Sequence, residues 1–215
     1  MKILFISLGC DKNLADSEEM LGLLTGNGHE IVDSEEEADA IVINTCCFIH
    51  DAKEESVNTI LEMAEYKKTG TCKILIVTGC MAQRYKEEIT EEIPEVDAVL
   101  GTTSYGDIVK ALNEAEAGHV FQEFKDINAL PEDSGRRVIT TGGHFGYLKI
   151  AEGCDKHCTY CIIPSLRGKF RSVPEDRLLK QAEYMASQGV RELILVAQET
   201  TVYGTDLYGK KTLHI

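Results

Sequence analysis

Three cysteines crowd the run GCDKHCTYC: Cys154, Cys158 and Cys161. The spacing Cys-x3-Cys-x2-Cys puts three thiols on one loop, enough to hold three irons of a cubic iron-sulfur cluster and leave the fourth without a protein ligand. An iron with an open position is a docking site for a small molecule. Gly153 lets the backbone turn tightly before the first thiol, and Tyr160 places an aromatic ring beside the third. A zinc site is the competing assignment, because three thiolates with His157 or His144 complete a tetrahedron. Structural zinc more often uses two Cys-x2-Cys pairs, and the sequence has no second such pair. Inert reduced cysteines are the third possibility.

Three further cysteines each end an apolar β-branched run: Cys10 after KILFISLG, Cys46 after AIVINT and Cys80 after KILIVTG. They form no local motif. In a parallel α/β sheet, however, successive strands end on the same edge, so residues far apart in sequence converge there. Gly9 and Gly79 precede two of them and let the backbone pass close to a bulky ligand. Each cysteine alone reads equally well as a small buried hydrophobe; together they predict a second cluster with an open iron. Cys47 follows Cys46 and points the other way on an extended chain, and Cys72 precedes its strand, so neither is expected to be a ligand.

Eight cysteines in a chain whose start, MKILFISLGC, shows no signal-peptide cleavage site are expected to be thiols for metal or catalysis in the cytoplasm, where disulfides stay reduced. With 215 residues, 43% hydrophobic and 27% charged, the composition is that of a globular protein, and no apolar run approaches a membrane span. The net charge of -14 is uneven: residues 1–140 carry 12 Lys and Arg against 28 Asp and Glu, whereas residues 141–215 carry 10 against 8. The acidic part makes a poor nucleic-acid platform and suits a basic protein partner better.

The elements that must position these thiols follow from periodicity. Strands are predicted at Lys2–Ser7, Glu30–Val32, Ala40–Thr45, Lys73–Thr78 and Ala98–Gly101, alternating with helices at Ser17–Thr25, Ala52–Lys68, Ala82–Glu92 and Ser104–Ala117. This is an α/β domain with a parallel sheet over residues 1–120. Residues 121–143, with Pro131, Asp133, Ser134, Gly135, Gly142 and Gly143, read as a linker. A second β/α series over residues 144–215 begins with a strand at Phe145–Ala151, the cysteine loop, a helix at Pro174–Ser187 and a strand at Glu192–Ala197. It has the pattern of the start of a β/α barrel, whose active site lies at the carboxyl ends of its strands.

GCDKHCTYC, preceded by KIAE and followed by IIPSLRG, resembles the signature of the radical S-adenosylmethionine (SAM) superfamily. Together with GCDKNLADSEEM, NTCCFIHDAKEES, VTGCMAQRY and LVAQETTVYGTDLYG, it makes nearly the whole chain similar to the radical SAM methylthiotransferases. GCDKN, the FI-x2-AKEES continuation and DLYG favour the branch that modifies an aspartate β-carbon of the small-subunit ribosomal protein S-twelve. A tRNA-modifying relative and a non-catalytic cluster-binding module remain the alternatives.

The resemblance implies two 4Fe-4S clusters. One, on Cys154, Cys158 and Cys161, binds SAM and cleaves it to a 5'-deoxyadenosyl radical; the other, on Cys10, Cys46 and Cys80, holds the sulfur. It also implies an electron donor, and a Tyr160 ring near the adenine. Gln198 and Glu199 end the second strand of the barrel, where polar side chains can touch SAM. No Ser, His or Asp constellation is expected to act beyond the cluster ligands. His29, His50, His119 and His144 read as surface or packing residues. Arg167, Lys169 and Arg171 could touch SAM or substrate, although a solvated loop is the better expectation. Cys47 and Val173 stand where the family commonly has glycine and arginine. A whole barrel takes on the order of 200 residues, so an incomplete radical SAM domain without the family's C-terminal TRAM domain is expected, able to bind clusters but not to turn over.

Overall fold

A computed structural model describes residues 1–132 and 135–214; Asp133 and Ser134 of the expected linker, and Ile215, lie outside the described residues. The first module contains β1 (Lys2–Ser7), α1 (Asp11–Gly26), β2 (Glu30–Val32), β3 (Ala40–Thr45), α2 (His50–Thr69), β4 (Ile74–Gly79), α3 (Cys80–Arg84), α4 (Lys86–Glu92), β5 (Ala98–Leu100), α5 (Ile108–Glu116) and β6 (Phe121–Glu123). All six strands pair in parallel in the order β2-β1-β3-β4-β5-β6. Strands buried on both faces need continuous apolar runs, and β3 and β4 supply them. Ile41, Ile43, Leu75 and Val77 face the core that α2, α3 and α4 cover, while Ala40, Val42, Ile74 and Ile76 face the α1 and α5 side. The order reverses between β1 and β3, and the crevice outside the carboxyl ends at such a reversal is where open α/β sheets bind ligands.

Three details differ from the pattern-based expectation. Phe121–Glu123, expected in the linker, form a sixth strand on β5, so the sheet module runs past residue 120. Helix α1 starts at Asp11, directly after Cys10, instead of at Ser17, because residues 11–16 are helical yet bury polar side chains that apolar periodicity overlooks. The expected helix Ala82–Glu92 is two helices, α3 and α4, broken at Tyr85 (φ -123°, ψ 37°), and α3 begins on Cys80 itself.

The second module contains β7 (Phe145–Lys149), β8 (Ala151–Glu152), α6 (Ile163–Arg167), β9 (Arg171–Ser172), α7 (Glu175–Ser187), β10 (Glu192–Val196) and α8 (Thr205–Tyr208). β7 and β10 pair in parallel with α7 as the crossover, and β8 and β9 form a short antiparallel pair. Leu148, Ile150, Met185, Val190 and Tyr203 make a small core. The DLYG segment anchors this frame: the Asp206 carboxylate accepts from Ser172 N at 2.8 Å and Ser172 Oγ at 2.6 Å. Val173 is buried, its N–H donating to Ile150 O and its carbonyl accepting from Tyr203 Oη, so it packs inside the frame.

Helix α1 lies between the modules and is buried from both sides, its polar residues Asn13, Asp16, Ser17, Glu18 and Glu19 included. Buried charges need partners; Tyr105 of the sheet module donates to Glu19 at 3.1 Å, and the connecting segment and the second module serve the others. Arg137 Nε donates to Glu18 Oε2 at 2.7 Å, and Thr140 donates through N and Oγ1 to Glu18 Oε1 at 2.7 and 2.8 Å. Lys149 pairs with Asp16 and, at 2.6 Å, with Glu152. Arg167 pairs with Asp16 at 2.8 Å and with Glu152 at 3.2 Å.

Candidate functional site

One cavity of about 590 Å³ opens between the carboxyl edge of the sheet and the cysteine loop. All six cysteines singled out by spacing or placement line it: Cys10, Cys46 and Cys80 from the first module, Cys154, Cys158 and Cys161 from the second. Its volume lies within the roughly 300–1,000 Å³ of typical small-molecule sites.

The first triad is assembled from three neighbouring strand ends. Gly9 turns the chain after β1 with φ +92°, and a methyl group there would lie 2.7 Å from Cys46 Cβ and 3.0 Å from its Sγ. Gly79 turns it after β4 with φ +94°, where a methyl group would meet Asn44 Oδ1 at 2.3 Å and Thr45 O at 2.5 Å. Any side chain at either position would push the strand ends apart. Ser56 of α2 clamps Cys46 by accepting from its N–H at 3.0 Å and donating to its carbonyl at 2.8 Å. Asn13 ties the three ends together. Its Nδ2 donates to Leu8 O at 3.0 Å and Thr45 O at 2.9 Å, and its Oδ1 accepts from Cys80 Sγ at 3.8 Å. Burial pushes the Cys80 thiol up, and the Arg167 guanidinium beside it pulls in the opposite direction.

The second triad rests on a scaffold. Gly153 has φ +69° and sits against the Gly168–Lys169 backbone, Cys154 N donates to Gly168 O at 3.1 Å, and Phe170 N donates to Asp155 Oδ1 at 2.9 Å. Cys161 N donates to Cys158 O at 3.0 Å, which closes the loop.

Cys47 and Cys72 are not in the cavity wall. Both are buried in the core on the α2 side, Cys47 Sγ donating to Cys80 O and Cys72 Sγ to Ile74 O, each at 3.3 Å. Burial pushes the Cys47 thiol up to about 12. His144 and His157 do not line the cavity either. Among the described residues no group of three or more His, Cys, Asp or Glu side chains converges on one ion position. A cubic cluster asks for something different, since each thiolate binds its own iron.

The expected SAM contacts also line the cavity, in three different states. Tyr160 stands at the rim, 89% exposed. Gln198 is the opposite: both polar atoms of its amide are buried without a hydrogen-bond partner. A buried amide with neither donor nor acceptor satisfied is costly unless a ligand completes it, so this part of the wall fits a polar cofactor. Glu199 binds Lys156 Nζ with one oxygen and Thr201 with the other, and these contacts, that to Lys156 foremost, hold its carboxyl at about 2. The thiolate donor set fits iron-sulfur chemistry.

Several wall residues escaped the sequence-based assignment. Phe48, Ile49, Ala52 and Leu166 give one side an apolar surface, and Lys12 and Arg167 add positive charge. Arg167 is buried, contrary to the expectation of a solvated loop, whereas Lys169 is exposed and Arg171 half-buried. Phe48 and Ile49, two adjacent apolar residues just beyond the cysteine pair that follows β3, were the available signal.

Residues 2–101 match the model of the uncharacterized protein family UPF0004, and residues 148–214 match the radical SAM superfamily. A ribosomal protein uS12 methylthiotransferase RimO from Lachnoclostridium phytofermentans is 66% identical over 99% of this chain and 48% of its own length. The chain is similar to the RimO-type radical SAM proteins. RimO proteins of the same description from Clostridioides difficile and Acetivibrio thermocellus are each 51% identical over 99% of the chain and 48% of their own lengths. The chain thus spans about half the length of the curated relatives it matches. This family implies 4Fe-4S clusters and SAM. No helix among the described residues is long and apolar enough to cross a membrane.

Proposed function

We propose that this chain forms the cofactor-bearing core of a methylthiotransferase that modifies an aspartate β-carbon of ribosomal protein uS12. The observation that supports this most is the meeting of two cysteine triads, one from each module, in the wall of a single cavity. Cys154, Cys158 and Cys161 hold the 4Fe-4S cluster that engages SAM, and Cys10, Cys46 and Cys80 hold a second one. The sheet module, through β6, carries the second cluster, and the radical SAM module begins near β7. An open-iron cluster with SAM supplies one-electron chemistry able to reach an unactivated carbon, which no general base deprotonates readily.

The chain's own residues arrange that chemistry. Gln198 offers a free donor and a free acceptor to the polar ends of SAM. Tyr160 is free to stack on the adenine, and Phe48, Ile49, Ala52 and Leu166 limit water in the cavity. Lys156 holds Glu199 in its charged form at the rim. Protein substrate is favoured over tRNA by the acidic first module and by the relatives' own names. An external electron donor completes the set of partners, in a cytoplasm that keeps the thiols reduced.

Anaerobic reconstitution tests this. About eight irons per chain are expected, falling to half in Cys46→Ser but unchanged in Cys47→Ser, and SAM cleavage is expected to disappear in Cys154→Ala. Zinc in place of iron, or cleavage that survives Cys154→Ala, refutes the assignment. Mass spectrometry of uS12 and tRNA from cells that express the protein then distinguishes the two substrates.

A further inference from the structure

Arg167 is a positive charge that the cysteine motifs leave unexplained. It ends α6, six residues after Cys161, yet its head lies in the first module, 3% exposed. Nη1 donates to Asp16 Oδ2 at 2.8 Å and to Glu152 Oε1 at 3.2 Å; Nη2 donates to Asn13 Oδ1 at 2.5 Å, the same oxygen that accepts from Cys80 Sγ. Through that shared oxygen the guanidinium stands beside the Cys80 thiol, and it forms part of the cavity wall. Stability does not account for such a group, since apolar side chains of similar volume commonly replace buried ion pairs at no loss. Its position does matter: charge near a cluster and hydrogen bonds to its sulfurs set how readily it takes up an electron. Glu152, on the same guanidinium, lies two residues before Cys154, so one side chain connects both triads.

We propose that Arg167 is a positioning residue for the Cys10, Cys46 and Cys80 centre, where its fixed charge, held by Asp16, Glu152 and Asn13, fixes Cys80 and eases electron uptake. This rests on the proposed cluster at those cysteines. A unit charge within a few ångströms at the interior's effective dielectric is strong enough to change the reduction equilibrium about tenfold or more, and tenfold is about 59 mV for a one-electron couple.

The test uses the full chain with Cys154, Cys158 and Cys161 all changed to Ala, so that only the other triad reports. Iron is counted first, and its absence overturns the cluster assignment and this proposal together. With iron present, redox titration followed by electron paramagnetic resonance is expected to show Arg167→Gln at least about tenfold harder to reduce, and Arg167→Lys close to the parent. A Gln variant that titrates like the parent, or a Lys variant displaced as far as Gln, overturns the role of charge while leaving the cluster in place. Should Arg167→Gln fail to load iron, the parent labelled with 15N-arginine decides. A hyperfine coupling between guanidinium nitrogen and the reduced centre, lost in Arg167→Lys, is expected, and a parent without it refutes the contact.

Discussion

Replacing Gly153 by Ala tests whether the cysteine loop is held in place by its backbone. The new methyl group would lie 2.1 Å from Lys169 O, 2.5 Å from Gly168 O and 2.7 Å from Lys169 C, all backbone atoms that cannot rotate away. A left-handed conformation costs a residue with a Cβ about 1–2 kcal/mol, and overpacking costs about 1–3 kcal/mol more. The cheapest relief is for the loop to lift off residues 168–169, which breaks the Cys154 N to Gly168 O bond. A loss of about 2–5 kcal/mol therefore falls on the site, and even the lower figure weakens SAM binding about 30-fold at 1.4 kcal/mol per decade. Gly143→Ala is the control: φ is +84° with no atom within 4 Å, so it bears the conformational cost without the collision. Isothermal titration of SAM into the reconstituted protein is the assay, with iron counting to confirm that the Cys10, Cys46 and Cys80 centre stays loaded. A Gly153→Ala protein that binds SAM within threefold of the parent, or a Gly143→Ala protein equally impaired, contradicts the reasoning.

Asp16→Ala removes the carboxylate shared by Lys149 and Arg167 and leaves both cations short of a partner in the interior; denaturant unfolding should show a loss of about 3–5 kcal/mol. Gln198→Leu removes two unsatisfied polar atoms, so the melting temperature is expected to hold or rise while SAM affinity falls about tenfold, one or two hydrogen bonds at about 0.5–1.5 kcal/mol each. A Leu variant with unchanged SAM affinity would remove Gln198 from the site. Burial opposes the charge on Glu152, but Lys149 and Arg167 outweigh it and hold the carboxyl at about 2. Its folded value thus lies below its unfolded one, near 4.3, so its contribution is complete above about pH 5 and is lost as pH falls towards 2. Burial raises Glu19, which acts with the opposite sign as pH rises. Acid unfolding of Glu152→Gln is accordingly expected to be flatter than that of the parent between pH 5 and 2.

Much of the site was legible because glycines and strand ends leave local signatures. The runs AIVINT and KILIVTG announce strands buried on both faces, and a parallel sheet delivers Cys10, Cys46 and Cys80 to one edge whatever their separation in sequence. The double thiol at 46 and 47 was separable by alternation alone, since Cys47 turns into the core. Residues whose partners come from the other module were illegible. Asn13 and Asp16 look like the polar start of a surface helix, and Arg167 like a solvated loop cation, until each meets the others. Phe121–Glu123 were missed because three residues carry too little periodicity to identify an edge strand.

Helix α1 gives the chain an order of assembly. Its carboxylates, Asp16, Glu18 and Glu19, can face water at little cost while the sheet module stands alone, so the first half needs nothing from the second to reach its shape. The later half depends on the first more, because Arg137 finds its counter-charge, and Lys149 and Arg167 one of their two, on a helix built from residues 11–26, Glu152 supplying the other. During synthesis the early segment emerges first and serves as a mould. The later segment closes onto it, and the cavity comes into being at the seam, so an intact site certifies that both halves have folded and docked.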